Sequence, residues 1–160
     1  MQSIHDLITE HPFFVDLPHD DVEMIAGCGQ NVHFHAGESI FREGGAADTF
    51  YVIRHGRVAL EVHAPDRGGI VVGTLGEGEV LGWSWLFPPY RWEFDARALE
   101  ETSAVALDGA CIRQKCDADT ALGYRLMQRF ARIAQEHLQA ARMQLLDLYG
   151  GDPTDAAHDD

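Results

Sequence analysis

Between Asn31 and Asp108 the chain reads as short alternating runs cut at regular intervals by glycine. "NVHFH", "ESIF", "TFYVIRHGRVALEVH" and "GIVVGTL" place apolar residues at every second position. Such alternation marks a strand with one face buried and one face wet. Between the runs lie "AGE" at 36–38, "EGGAAD" at 43–48, "HG" at 55–56, "PDRGG" at 65–69 and "GEG" at 76–78. These supply the turns, because glycine enters conformations closed to other residues. "ARALEETSAVALDG" adds one or two further strands. Short strands at this even spacing predict an antiparallel barrel or jelly roll.

The flanks follow a different period. Ser3–Phe14 reads as an amphipathic helix with Ile4, Leu7 and Ile8 on one face and Pro12 ending it, and a helical turn at His19–Ile25 is expected to be capped by an aspartate. After Asp117 the chain turns helical until Tyr149, with Asp117 or Asp119 as cap and Gly150-Gly151 as stop. Met127, Ala131, Ala134, Leu138, Ala141, Leu145 and Leu148 recur at alternating spacings of four and three, a coiled-coil seam. Phe130 and Ile133 widen the stripe in the first half, as packing on a barrel requires. Beyond Gln135 only the seam remains, so Gln135–Leu148 is expected to pair with a second copy through Ala134, Leu138, Ala141, Leu145 and Leu148. The expected organisation is N-terminal helices over 1–30, a β jelly roll over 31–116, C-terminal helices over 117–149 and a disordered acidic tail over 150–160.

Composition bounds the function. A formal charge of −14 disfavours nucleic acid, whose binding rests on clustered lysine and arginine. No apolar run reaches the roughly 20 residues of a membrane span, and "MQSIHDLITEHPFF" has no signal-peptide pattern. Three cysteines, Cys28, Cys111 and Cys116, form no even framework, so reduced thiols in a cytoplasmic protein are expected.

"HPFF" before the strands and "GESIFREGGAADTFYVIRHGRVALEV" inside them resemble the cyclic nucleotide-binding domain family, and more closely the sensor half of catabolite-activator-type bacterial regulators. The likeness runs from about Ile4 to Tyr149 and puts Gly37, Gly44, Asp48 and Gly56 at the family's turn positions. It implies a double-stranded β-helix, or jelly roll, followed by a long helix. Transcription factors of this type carry a helix-turn-helix domain after that helix. This chain ends about ten residues past it, so no such domain is expected within it.

The resemblance also implies a pocket. In nucleotide-binding members a short helix carries a Gly-Glu pair whose acid holds the ribose, and a following Arg-Ser or Arg-Thr pair holds the cyclic phosphate. Guanidinium and helix N-terminal amides both suit an anion. In "VLGWSWLFPPYRWEFDARA", which contains all three tryptophans of the chain, Gly82 keeps the glycine. Trp83, followed by Ser84 and Trp85, stands where the acid belongs, and the Arg-Ser position falls on Trp92-Glu93 or Glu93-Phe94. Arg91 and Arg97 are the candidate substitutes. The pocket positions are therefore degenerate, and the tryptophans either plug the cavity, line a different one, or face a partner.

The strands offer one other candidate site. His33 and His35 lie two apart on one strand face, near Glu38, somewhat as in the first metal motif of cupins. Glu38 comes too early for that motif and residues 74–117 hold no histidine, so no metal is expected. No catalytic triad elbow, P-loop or dinucleotide fingerprint is present. The expectation is a non-enzymatic regulatory module without a cofactor, a homodimer acting through a protein partner or small ligand. The alternatives are a genuine cyclic AMP or cyclic GMP sensor and, less favoured, a cupin-like metal-dependent enzyme.

Overall fold

The computed structural model describes residues 3–66 and 68–158, and their side chains up to residue 148. It divides into two units, Met1–Leu122 and Gly123–Asp160.

In the first unit, α1 (Ile4–Glu10) buries Leu7 and Ile8 and is closed by a capping box between Ser3 and Asp6. Pro12 ends it as expected, and Pro12–Phe14 forms a separate 3-10 turn burying both phenylalanines. α2 (His19–Ala26) begins after Pro18 with no side-chain cap, which corrects the expected aspartate cap. Asp20 and Asp21 lie instead inside its first turn, where acids favour the positive end of the helix.

Eight strands follow: β1 (Gly29–Phe34), β2 (Ser39–Phe41), β3 (Thr49–His55), β4 (Arg57–Ala64), β5 (Gly68–Gly76), β6 (Val80–Leu81), β7 (Asp95–Ala98) and β8 (Thr102–Asp108). They form two antiparallel four-stranded sheets, ordered β1-β8-β3-β6 and β2-β7-β4-β5. Gly37, Gly44, Gly56, Gly68 and Gly78 have positive φ, each within a predicted turn. A core cluster draws Phe41, Val58, Leu75 and Ala96 from one sheet and Ile53 and Leu81 from the other, with Ala47 and Trp92 from the connecting segments. The fold is the expected jelly roll.

Helix returns at α3 (Gly109–Ala118), earlier than the expected boundary at 117. Asp108 explains the shift: its carboxylate accepts the Cys111 N–H, so the last residue of β8 caps the helix. Cys28 and Cys111 are joined by a disulfide with Cα atoms 5.7 Å apart, leaving Cys116 as the free thiol. This overturns the expectation of three reduced thiols and removes the support it lent to a reducing compartment.

α4 (Thr120–His158) starts after Asp119, whose carboxylate accepts the Leu122 N–H. It passes the expected stop at Gly150-Gly151. A helical glycine costs only about 1 kcal/mol against alanine, and an existing helix extends far more easily than it nucleates. Residues 159 and 160 of the expected tail, and the side chains of the rest of it, lie outside the described residues. Along α4 Phe130 is buried and Ile133 half-buried, whereas Leu138, Leu145 and Leu148 are more than half exposed. Among the described residues no helix is long and apolar enough to cross a membrane.

Candidate functional site

The segment between β6 and β7 contains every candidate pocket position except Arg97, which lies in β7. β6 leads into Gly82, whose φ of +99° suits glycine, and Ser84–Leu86 then forms a single 3-10 turn. From there the chain runs antiparallel to residues 44–47. The Gly44 N–H donates to the Trp92 carbonyl (2.8 Å), the Trp92 N–H to the Gly45 carbonyl (3.0 Å) and the Ala47 N–H to the Tyr90 carbonyl (2.7 Å). Just beyond, the Glu43 N–H donates to Asp95 (2.7 Å), and this bond, ahead of the His63 contact, holds the Asp95 carboxyl below the usual range.

That zipper sets the alternation of side chains. Trp92, Ala96 and Ala98 are buried and Phe94 packs against the same core, while Arg91 and Glu93 are exposed. The Trp92 indole lies flat on Phe41, centroids 3.7 Å apart and planes within 8°. One end of the indole is 3.7 Å from where a Gly45 Cβ would stand, and the other lies 2.8 and 2.9 Å from where a Gly82 Cβ would stand. Any side chain at Gly82 would thus meet the ring. The indole fills the space beside Gly82.

The other tryptophans have different surroundings. Trp85 is fully buried and stacks on Phe50 at 4.8 Å. Its carbonyl accepts from Arg113 of α3, whose guanidinium also lies 4.5 Å over the Tyr90 ring. α3 and the tryptophan loop are therefore tied at two points. Trp83 and Ser84 are half-buried.

Neither candidate arginine is free for an interior phosphate. Arg91 donates to the Gly44 carbonyl (2.9 Å) on the exposed side. Arg97 donates to Glu61 across the sheet (2.8 Å), alternating with buried Ala96 and Ala98. The structure thus brings Gly82 and Trp92 together and leaves Arg91, Glu93 and Arg97 on other faces. Phe41, Gly45 and Arg113 belong to the site and were not singled out from the sequence. The spacing Trp92-Phe94-Ala96-Ala98 carried the signal, since it extends the β7 alternation back to Trp92. A cavity of about 350 Å³ lies elsewhere, lined by Cys28, Gln30, Thr49, Asp108 and Cys111 among others.

A two-sheet antiparallel jelly roll flanked in sequence by helices, with a positive-φ glycine after its sixth strand, is the class of fold that carries this site. Comparison with known proteins narrows this class. The chain belongs to the cyclic nucleotide-binding domain family, which matches residues 31–119. A "CRP-like cAMP-activated global transcriptional regulator" of Mycobacterium tuberculosis is 27% identical over 119 residues, 74% of this chain and 51% of that protein. A chain from Geobacter metallireducens GS-15 is 28% identical with a TM-score of 0.75, covering 86% of this chain and 99% of that one. Catabolite Activator Protein of Thermus thermophilus shares the fold, with 22% identity and a TM-score of 0.68 over 86% of this chain and 63% of that one. This chain spans about half the length of the curated bacterial regulator it matches.

Proposed function

We propose that this domain is a non-enzymatic regulatory module whose nucleotide pocket is filled from within by Trp92, and which acts through a partner protein. The observation that carries the reading is the indole lying on Phe41 with its far end against Gly82. An apolar ring in that space removes the room and polarity that a cyclic phosphate needs. The outward pairing of Arg91 and Arg97 supports the same reading, because a buried anion without a cationic or amide partner is costly. The exposed seam of α4 supports self-association as the route by which the domain presents itself to other proteins.

Calorimetric titration of the purified protein with cyclic AMP and then cyclic GMP tests the reading. No saturable heat is expected with either nucleotide at micromolar concentration. Stoichiometric binding weakened by Trp83→Ala or Arg91→Ala would replace it with the sensor reading. The specific support for that second reading is the 27% identity to a regulator named as cAMP-activated.

A further inference from the structure

Glu101 completes a cluster that the linear sequence does not show. His33 and His35 project from one face at the end of β1, and Glu101 stands in the β7–β8 turn. One oxygen of Glu101, Oε1, lies 2.9 Å from His33 Nε2 and 3.0 Å from His35 Nδ1. Its other oxygen accepts the Ala36 N–H at 2.8 Å, which fixes the carboxylate against the loop. Glu38, the nearer acid in sequence, is occupied elsewhere: it accepts the His35 backbone N–H at 3.0 Å.

We propose that His33, His35 and Glu101 form a surface binding site for a divalent transition-metal ion of the zinc class. With metal–nitrogen and metal–oxygen bonds near 2.0–2.2 Å, neighbouring ligand atoms around one tetrahedral ion stand roughly 3.3–3.6 Å apart. The two nitrogen–oxygen separations are a few tenths of an ångström shorter, as hydrogen bonds are, so the donor atoms must part slightly to take an ion. All three ligand atoms lie within 4.8 Å of one another, so small side-chain rotations admit an ion. Imidazole and carboxylate are the donors such ions take, and three protein ligands leave positions for water or a further group.

The surroundings also suit the chemistry. When His33 Nε2 turns its lone pair to the ion, its proton resides on Nδ1, which faces Ser103 Oγ at 3.4 Å. His33 lies on β1, His35 just past its end and Glu101 just before β8, and the β1–β8 ladder, in which His33 pairs with Ser103, brings them together. A bound ion would therefore clamp the β7–β8 turn to the end of β1.

The test is calorimetric titration of the tag-free, unreduced protein with Zn²⁺ alone at pH 7.5. One saturable equivalent is expected. His35→Gln and Glu101→Gln should each weaken it at least tenfold, while His19→Gln, Glu38→Gln and Cys116→Ser leave it unchanged. These are exposed or half-buried positions, and circular dichroism verifies that each variant is folded. The His19 control matters because His5, His19 and Glu23 form a second group of donor atoms within 4.8 Å. The proposal fails if less than about one-tenth equivalent binds, if His35→Gln and Glu101→Gln bind as the parent does, or if His19→Gln abolishes binding.

Discussion

If the Trp92 ring occupies the space beside Gly82, the two positions must be energetically coupled, and the size of the coupling follows from the contact. Gly82→Ala carries two costs. A left-handed backbone, here φ +99°, costs a residue with a Cβ about 1–2 kcal/mol. The new Cβ would also stand 2.8 and 2.9 Å from two atoms of the indole six-membered ring, closer than carbon atoms pack. Stacked on Phe41, that ring has little freedom to withdraw, and such overpacking costs about 1–3 kcal/mol. Trp92→Leu keeps an apolar filler but deletes the offending ring atoms. By itself it removes roughly 80 Å² of buried apolar surface, or about 2 kcal/mol. In the double variant the overpacking disappears, leaving the backbone cost at position 82 and the burial lost at position 92. The double variant should therefore be less destabilised than the sum of the singles by about 1–3 kcal/mol. Urea unfolding followed by far-ultraviolet circular dichroism, which does not depend on tryptophan, measures all four proteins. Additivity within about 0.5 kcal/mol would refute the reasoning, since distant sites behave that way. The indole would then not lie against Gly82, and the filled-pocket reading would lose its support.

Three further outcomes follow from the structure. His11 is buried, donating from Nε2 to the Ile53 carbonyl (2.9 Å) while its Nδ1 accepts the Phe13 N–H (3.2 Å), and burial lowers its pKa. The unfolded chain then takes up the proton first, so stability is complete above about pH 6.5 and is lost as pH falls through the folded value, at up to about 1.4 kcal/mol per pH unit. His35 has the opposite sign: its pKa is raised by Glu101, its share being present below about pH 6.5 and lost as pH rises through the raised value. Urea midpoints at pH 7.5 and 5.5 should therefore differ less in His11→Gln than in the parent; an equal difference would refute the assignment. The Cys28–Cys111 bridge closes a separation of 83 residues, so Cys111→Ser should cost about 2–5 kcal/mol, and titration of three free thiols in the native, unreduced protein would disprove the pairing. Leu145 is 52% exposed on the seam of α4; sedimentation at tens of micromolar should show a dimer that Leu145→Asp dissociates, and a monomeric parent would end the self-association proposal.

The parts of this molecule legible in its sequence are those encoded over a few residues. One glycine in each predicted turn adopts the positive φ that such turns require, and the alternation of "TFYVIRHGRVALEVH" became β3 and β4 around Gly56. The Gly56 turn is tight as well as left-handed, since an added Cβ would stand 2.4 Å from Thr102 Oγ1. What escaped was encoded either too briefly or across too great a distance. β6 has two residues, too few for any period to register. α3 begins where the last strand residue doubles as its cap. The disulfide and the Glu101–His33–His35 cluster join residues 83, 68 and 66 positions apart, and only the sheet register brings them together.

Trp92 is the intermediate case, and it decides how the site is understood. Aligning a motif asks which residue stands at a position and compares its chemistry with the family's. By that measure Trp83, at the acid's place, is the conspicuous replacement, yet it is only half-buried. Strand alternation asks where a side chain points. Carried back from Ala98 through Ala96 and Phe94, it sends Trp92 inward and turns Arg91 and Glu93 out. The second question is the one physics answers, because a zippered segment cannot present both Arg91 and Trp92 to the same interior. Once Trp92 is inside, Gly82 is needed for room as well as for its backbone angle. Under the filled-pocket proposal, the retained Gly82 and the replacement of the contact residues then have a single cause, the indole of Trp92.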